Sequence, residues 1–157
     1  MIKTFDRDGV RFKYPSNWTL EEEDLQADEP ADTDADADES PGAWTVTLQS
    51  PGTAFLLVAL RPDIDHPRML ADETLEALKE EYPQLEANES LTSLAGQPAI
   101  GYDLDFIALD AVISTKIRSL LAPSGPVLFL AQFVEPERDS ISLVMDAMLT
   151  SLVIDED

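Results

Sequence analysis

The sequence predicts an α+β fold in a single domain that spans residues 1–157. Short segments with alternating apolar residues dominate the chain, and two longer segments repeat apolar residues at helical spacing. Their order is a hairpin, an acidic segment, two strands, a helix, a run of strands and a C-terminal helix. Runs of strands separated from helices are typical of the α+β class. A hydrophobic content of 44% over 157 residues is enough for a core.

The first strands are predicted from turn chemistry and alternation. Residues 3–5 and 10–14 flank a turn that ends at Gly9, which suits the positive φ of a tight hairpin. Trp18 then returns to the core. Residues 44–48 alternate between apolar and polar side chains, as a half-buried strand does.

Later segments predict a sheet with two buried strands. Residues 54–60 and 127–133 are apolar throughout, which indicates strands covered on both faces. Residues 85–94 predict a weaker strand, and residues 100–106 and 113–121 alternate between apolar and polar positions.

A short connection fixes the register of the two alternating strands. If residues 108–111 form it, Ile107 faces Val112 and Asp103 faces Lys116, with Arg118 diagonal to Asp103. Such a cross-strand pair contributes about 0.2–1 kcal/mol and favours one register. We therefore expect a structural charge ladder of two carboxylates and two cations. Its members are Asp103, Asp105, Lys116 and Arg118.

Two helices are predicted from their apolar stripes. Residues 67–82 form the first, with Asp65 as the expected N-cap and Pro83 as the stop. Its stripe consists of Ala71, Leu75, Leu78 and Tyr82. The C-terminal helix starts near Pro136 and Asp139. Its stripe consists of Ile141, Val144, Met145, Met148, Leu149 and Leu152, and we interpret its methionines as core residues.

The chain is strongly acidic, with 32 acidic and 10 basic residues and a net charge of −22. The stretch 21–39 holds 11 acidic and no basic residues. We therefore predict that residues 20–42 are mobile and that they hold an acidic loop at about 21–42. Such a charge destabilises the compact state unless salt screens it. We expect a protein of a salt-rich cytoplasm. The alternatives are an ordinary acidic protein with a solvated tract and a protein that scavenges cations. Nucleic-acid binding is disfavoured because clusters of Lys and Arg are missing.

Several classes of protein are excluded or disfavoured by composition. The chain has no cysteine, which excludes disulfides, thiolate zinc sites and cysteine nucleophiles. Residues 1–6 show no signal-peptide pattern, and no apolar run approaches the ~20 residues that span a bilayer. We therefore expect a cytoplasmic protein that does not bind a membrane.

Two segments resemble the PsbP-like superfamily. They are residues 9–18 (GVRFKYPSNW) near the start and 148–152 (MLTSL) near the end, within the element order given above. That superfamily includes the extrinsic protein of photosystem II, a Ran release factor and DcrB-like lipoproteins. The resemblance implies a three-layer α/β/α sandwich around an antiparallel sheet. It also implies a protein that binds other proteins and is not an enzyme.

Candidate reaction groups have structural interpretations. His66, the single histidine, has no nucleophile or orienting group nearby in the sequence, so we expect it in an exposed loop. Asp103 and Asp105 share a strand face, but Lys116 and Arg118 favour the charge ladder over a hydrolase. Alternating aspartates resemble half of a calcium loop without the glycine and glutamate that an EF-hand needs. They are Asp32, Asp34, Asp36 and Asp38. We therefore predict no catalytic, metal-binding or cofactor-binding residues.

Three functions follow as hypotheses. The first is a non-enzymatic interaction module that presents an acidic face or loop to an unknown protein partner. The second is a carrier of a small apolar ligand, with a pocket between sheet and helix that includes Trp18, Trp44 and Phe129. The third, a hydrolase that uses Asp103 and Asp105, has the least support.

Overall fold

The computed structural model describes residues 2–24, 43–108 and 110–154, and their elements confirm the predicted α+β class. The elements are β1 (Ile2–Arg7), β2 (Val10–Pro15), β3 (Thr19–Asp24), β4 (Trp44–Gln49), β5 (Phe55–Leu60), α1 (Pro67–Glu81), β6 (Glu86–Leu94), β7 (Gln97–Ala108), β8 (Ala111–Ala122), β9 (Gly125–Val134), α2 (Arg138–Thr150) and β10 (Val153–Ile154). A 3-10 turn, Glu135–Glu137, joins β9 to α2.

The strands form a large and a small antiparallel sheet. The large sheet has the order β3-β4-β5-β9-β8-β7-β6, and the small one has the order β1-β2-β10. Helix α1 packs on one face of the large sheet, against β7, β8 and β9. On the opposite face, α2 packs against β2 and β9, and the small sheet contributes to the same core cluster. The layer on this second face is therefore part helix and part sheet.

The N-terminal hairpin has the predicted turn. Asp8 and Gly9 take φ values of 52° and 85°, which is the left-handed backbone that a two-residue hairpin turn requires. The hairpin packs on the large sheet through Phe5, whose ring centroid lies 5.5 Å from that of Trp44. Nε1 of Trp44 donates a hydrogen bond of 2.7 Å to Oδ2 of Asp8. Trp18 is buried, as predicted.

The predicted acidic loop begins as a strand. β3 pairs with β4 along its whole length, and Leu20 packs partly against the core. The exposed carboxylates of Glu21 and Glu22 are tolerated because β3 is an edge strand, where charged side chains are common and also protect the edge from further pairing. The loop prediction was therefore wrong for residues 20–24. Residues 25–42, with the four alternating aspartates, lie outside the described residues.

Helix α1 forms over nearly the predicted residues, but its N-cap is His66 and not Asp65. Nδ1 of His66 accepts a hydrogen bond of 3.0 Å from the backbone N–H of Arg68. The residue before a proline favours extended backbone, and His66, at φ −145°, directly precedes Pro67. The N-cap prediction was wrong because this local restriction places the N-cap one residue later, at His66, while the helix begins at Pro67 as predicted.

The register of β7 and β8 is as predicted. Asp103 pairs with Lys116 and Ile107 with Val112 across the short connection. Helix α2 buries Met145 and Met148, which confirms their core interpretation. The strand β10 was not predicted, because two residues carry no periodicity. Neither of the two described helices is long and apolar enough to span a membrane.

Candidate functional site

A groove lies between α2 and the large sheet, and we call it the α2 groove. It encloses about 310 Å³, at the lower end of the usual range for ligand pockets. Its apolar wall consists of Leu56, Leu94, Phe129, Ala131, Phe133, Met145 and Leu149. Lys116 and Arg118 of β8 line it as well.

The groove exists because α2 covers only part of its face of the sheet. The helix packs against β9 and β2, whereas residues of β8 and β6 line the part of the groove beside it. Alternation along β8 sends Lys116 and Arg118 to this face and Ile117 to the core beneath α1. In the register, Lys116 pairs with Ala131 and Arg118 with Phe129. Each cation therefore lies beside an apolar residue of β9.

Arg118 has a carboxylate partner. Its Nη2 lies 3.0 Å from Oδ1 of Asp103, and 11% of its side chain is exposed. This buried oxygen accepts no well-directed hydrogen bond from the described residues, so its contact with Arg118 is an electrostatic ion pair without a hydrogen bond. Nη1 of Arg118 donates to the Ile117 carbonyl oxygen at 2.8 Å. The predicted Asp103–Arg118 pair is confirmed, and it holds the guanidinium against the floor of the groove.

Lys116 and Arg138 have no carboxylate within 4.0 Å among the described side chains. Lys116 is half-buried, and its cross-strand neighbour Asp103 pairs with Arg118. Arg138 is exposed at the first residue of α2, and its Nη2 lies 3.4 Å from the Ser114 hydroxyl. The helix dipole disfavours a cation at that end. Two cations without carboxylate partners therefore lie near the groove of a very acidic chain.

A second cavity of about 310 Å³ extends the α2 groove toward the start of α2. The two cavities share Lys116, Phe133 and Ser142, and the second reaches Asp105 and Arg138. Together they form one groove with an apolar end and a polar end, and Lys116 lies where the two ends meet.

Asp105 forms no ion pair in the charge ladder that the sequence predicted. It accepts a hydrogen bond of 2.8 Å from the Ser114 hydroxyl, and no cation lies within 4.0 Å of it among the described residues. The ladder is therefore reduced to Asp103 and Arg118, because the longer guanidinium reaches the carboxylate that Lys116 faces.

Of the three aromatic residues expected in a pocket, only Phe129 lines the α2 groove. Trp44 is fully buried beneath the hairpin and Trp18 is buried in the same core cluster, so their assignment to the pocket was wrong. The reason is the hairpin itself, which covers that part of the sheet. His66 caps α1, the helix on the other face. No group of three or more metal-ligating side chains is placed to hold a metal ion within the described ranges.

A second, mainly apolar groove lies between the N-terminal hairpin and α2, and we call it the hairpin groove. It encloses about 390 Å³, and its lining includes Ile2, Tyr14, Leu143 and Val144, with Lys13 at its edge. Ile2 is 61% exposed and Leu143 is 72% exposed. Sequence reasoning missed this surface, although Leu143 gives a signal: it is a large apolar residue outside the buried stripe of its helix.

The fold, with its hairpin, large antiparallel sheet and one helix against each sheet face, is a PsbP-like fold. The chain is similar to the solution structure of cyanobacterial PsbP (CyanoP) from Synechocystis sp. PCC 6803, with 13% identity and a TM-score of 0.58 over 98% of this chain and 92% of that one. It is also similar to the crystal structure of LpqN, involved in cell envelope biogenesis of Mycobacterium tuberculosis, with 14% identity and a TM-score of 0.51 over 98% and 90% of the two chains. Comparisons with family profiles and with curated proteins give no match. The predicted resemblance is confirmed at the level of the fold.

Proposed function

We propose that this chain is a non-enzymatic protein-interaction module, built as a three-layer α/β/α sandwich, that works in a salt-rich cytoplasm. The observation that carries the proposal is the hairpin groove, where Ile2 and Leu143 are 61% and 72% exposed. Exposed apolar residues that line one groove mark interaction surfaces more often than isolated ones do. The PsbP-like fold supports an accessory role by analogy.

The chemistry of the groove defines the partner. An apolar lining of about 390 Å³ accommodates a large apolar side chain of a partner protein. Lys13, which lines the groove, has no carboxylate within 4.0 Å among the described residues, so it favours an acidic residue next to that side chain. Molar salt screens charge contacts but leaves apolar burial in place, so this contact persists where ionic ones weaken.

Substitution of Leu143 tests the proposal. We expect Leu143→Gln to lose a stoichiometric partner that the unsubstituted protein retains when it is used as bait in a lysate of its own cells in molar KCl. Removing an exposed anchor residue typically weakens binding by about 2 kcal/mol, or roughly thirtyfold. Quantitative mass spectrometry of the retained proteins measures the effect.

Leu91→Gln is the matched control, because Leu91 is 67% exposed on β6, away from the hairpin groove. Equal recovery of the partner by both variants, or no partner with the unsubstituted bait, would contradict the proposed surface.

A second candidate function is the carrier of a small apolar ligand. The α2 groove supports it, because a cavity of about 310 Å³ lies between sheet and helix with Phe129, Phe133 and Met145 in its wall. This function uses a different surface from the hairpin groove, so the two candidates are tested by different substitutions.

A further inference from the structure

We propose that the α2 groove binds a small amphiphilic monoanion, a molecule with an apolar body and one carboxylate. The proposal rests on the carrier function and adds to it the chemistry of the ligand's head group. Lys116 contacts the carboxylate, and the apolar wall around Phe129 and Met145 covers the body.

The position of Lys116 is the first argument. Lys116 is half-buried and lines the cavity, where an anion beside it gains a charge contact, and the chain has 32 acidic residues that could supply one. The nearest candidate by register, Asp103, is instead paired with Arg118 at 3.0 Å. Lys116 therefore keeps its three donors available in the wall of the cavity.

The division of the groove is the second argument. Lys116 lies at the junction of its apolar and polar ends, and Arg138 lies in the polar end. An anionic head placed there meets two cations that have no carboxylate within 4.0 Å among the described residues, while its tail extends over Phe129, Met145 and Leu149.

The carboxylates of the groove limit the ligand to one negative charge. Asp103, which is paired with Arg118, and Asp105 lie in the polar end, and Asp146 lines the apolar end. A second charge on the ligand would meet one of them at short range, which costs about 1 kcal/mol or more. Phosphate esters and dicarboxylates are therefore disfavoured, and the volume of about 310 Å³ favours a short chain or a small ring system.

The methionines provide the test. Met145 lines the α2 groove, Met148 lines the hairpin groove, and Met69, 54% exposed, belongs to α1 on the other face. With ¹³C-labelled methionine methyl groups, we expect octanoate to shift the Met145 signal in a saturable way and to leave Met148 and Met69 in place. Octan-1-ol, which has the same tail without the charge, should bind about tenfold more weakly.

Charge substitutions complete the test. Lys116→Gln should weaken octanoate binding about tenfold, and Lys13→Gln, which removes the same charge beside the hairpin groove, should not change it. Equal affinity for octanoate and octan-1-ol at Met145 would overturn the head-group proposal and leave the carrier function standing. No saturable shift at Met145 with either probe would overturn both. A shift at Met148 that Lys13→Gln removes would assign the anion to the hairpin groove instead.

Discussion

The free energy of unfolding should rise by about 5 kcal/mol when dilute buffer is replaced by molar KCl. At ~1 M salt the Debye length is about 3 Å, against about 30 Å at 0.01 M, so repulsion among surface charges disappears. Two like charges about 10 Å apart in water repel by roughly 0.4 kcal/mol, and about a dozen such pairs give the expected total. Thermal unfolding followed by circular dichroism should show a midpoint roughly 10–20 °C higher.

The structure contains the carboxylates that this effect requires. Many described acidic side chains have no basic group within 4.0 Å. They include Glu21, Glu22, Asp65, Glu80, Glu81, Glu86, Asp110, Glu135, Asp139 and Asp146. Three of them, Glu80, Glu81 and Glu86, are exposed near the end of α1 and the start of β6. Lys79, the nearest basic residue in the sequence, is paired with Glu76, so the charges of these three carboxylates repel one another without an ion pair among the described residues.

A neutralised variant separates charge repulsion from general effects of salt. Glu80→Gln, Glu81→Gln and Glu86→Gln together should make the protein more stable than the unsubstituted chain in dilute buffer and should reduce its gain in KCl. A melting temperature that is indifferent to KCl would rule out the proposed salt adaptation, as would an equal gain in both proteins.

Gly101→Ala should destabilise the fold by about 3 kcal/mol, which lowers the melting temperature by roughly 6–12 °C. Gly101 pairs with Arg118 across β7 and β8. A Cβ at this position would overlap the carbonyl oxygen of Ile117 and lie 2.6 Å from its carbonyl carbon. These are backbone atoms, so relief requires the two strands to separate. Denaturant titration in molar KCl measures the loss.

Gly96→Ala is the control for replacing a glycine, because Gly96 lies in the turn that joins β6 to β7. A Cβ at Gly96 meets no atom within 4 Å, and its φ of +79° costs about 1–2 kcal/mol. Gly101→Ala should therefore be the more destabilising of the two. Gly101→Ala should also displace Arg118, whose Nη1 donates a hydrogen bond to the Ile117 carbonyl oxygen. Neutral surface substitutions change the free energy of unfolding by about 0.5 kcal/mol. If the free energy of unfolding of the Gly101→Ala variant lies within that margin of the unsubstituted protein, β7 and β8 do not approach as closely as described.

Local patterns predicted most of the fold. The register that places Asp103 opposite Lys116 was predictable because alternation and a tight connection leave one arrangement. The buried methionines of α2 were predictable from the helical period. The N-cap of α1 was not, because the competition between Asp65 and His66 is decided by the backbone restriction before Pro67. In β3, backbone pairing with β4 outweighs the charge pattern that predicted a loop.

The grooves depend on how distant segments pack, and the sequence predicted them poorly. Arg138 approaches Ser114, 24 positions earlier, only because α2 crosses the sheet at that place. Trp44 was expected in a pocket, but the hairpin contributes Phe5 and Asp8 to its surroundings. A periodic pattern shows which side chains share a face of one element. It does not show how much of that face a second element leaves open.

Photo-crosslinking from position 143 tests the proposed interaction surface most directly. Benzoylphenylalanine in place of Leu143 should give one stoichiometric adduct with a cellular protein in molar KCl. The same replacement of Leu91 should give no adduct. Leu91 is the control because the two residues are similarly exposed and, of the two, only Leu143 lines the hairpin groove. Equal adducts from both positions, or no adduct from position 143, would contradict a role for this surface in binding a protein partner.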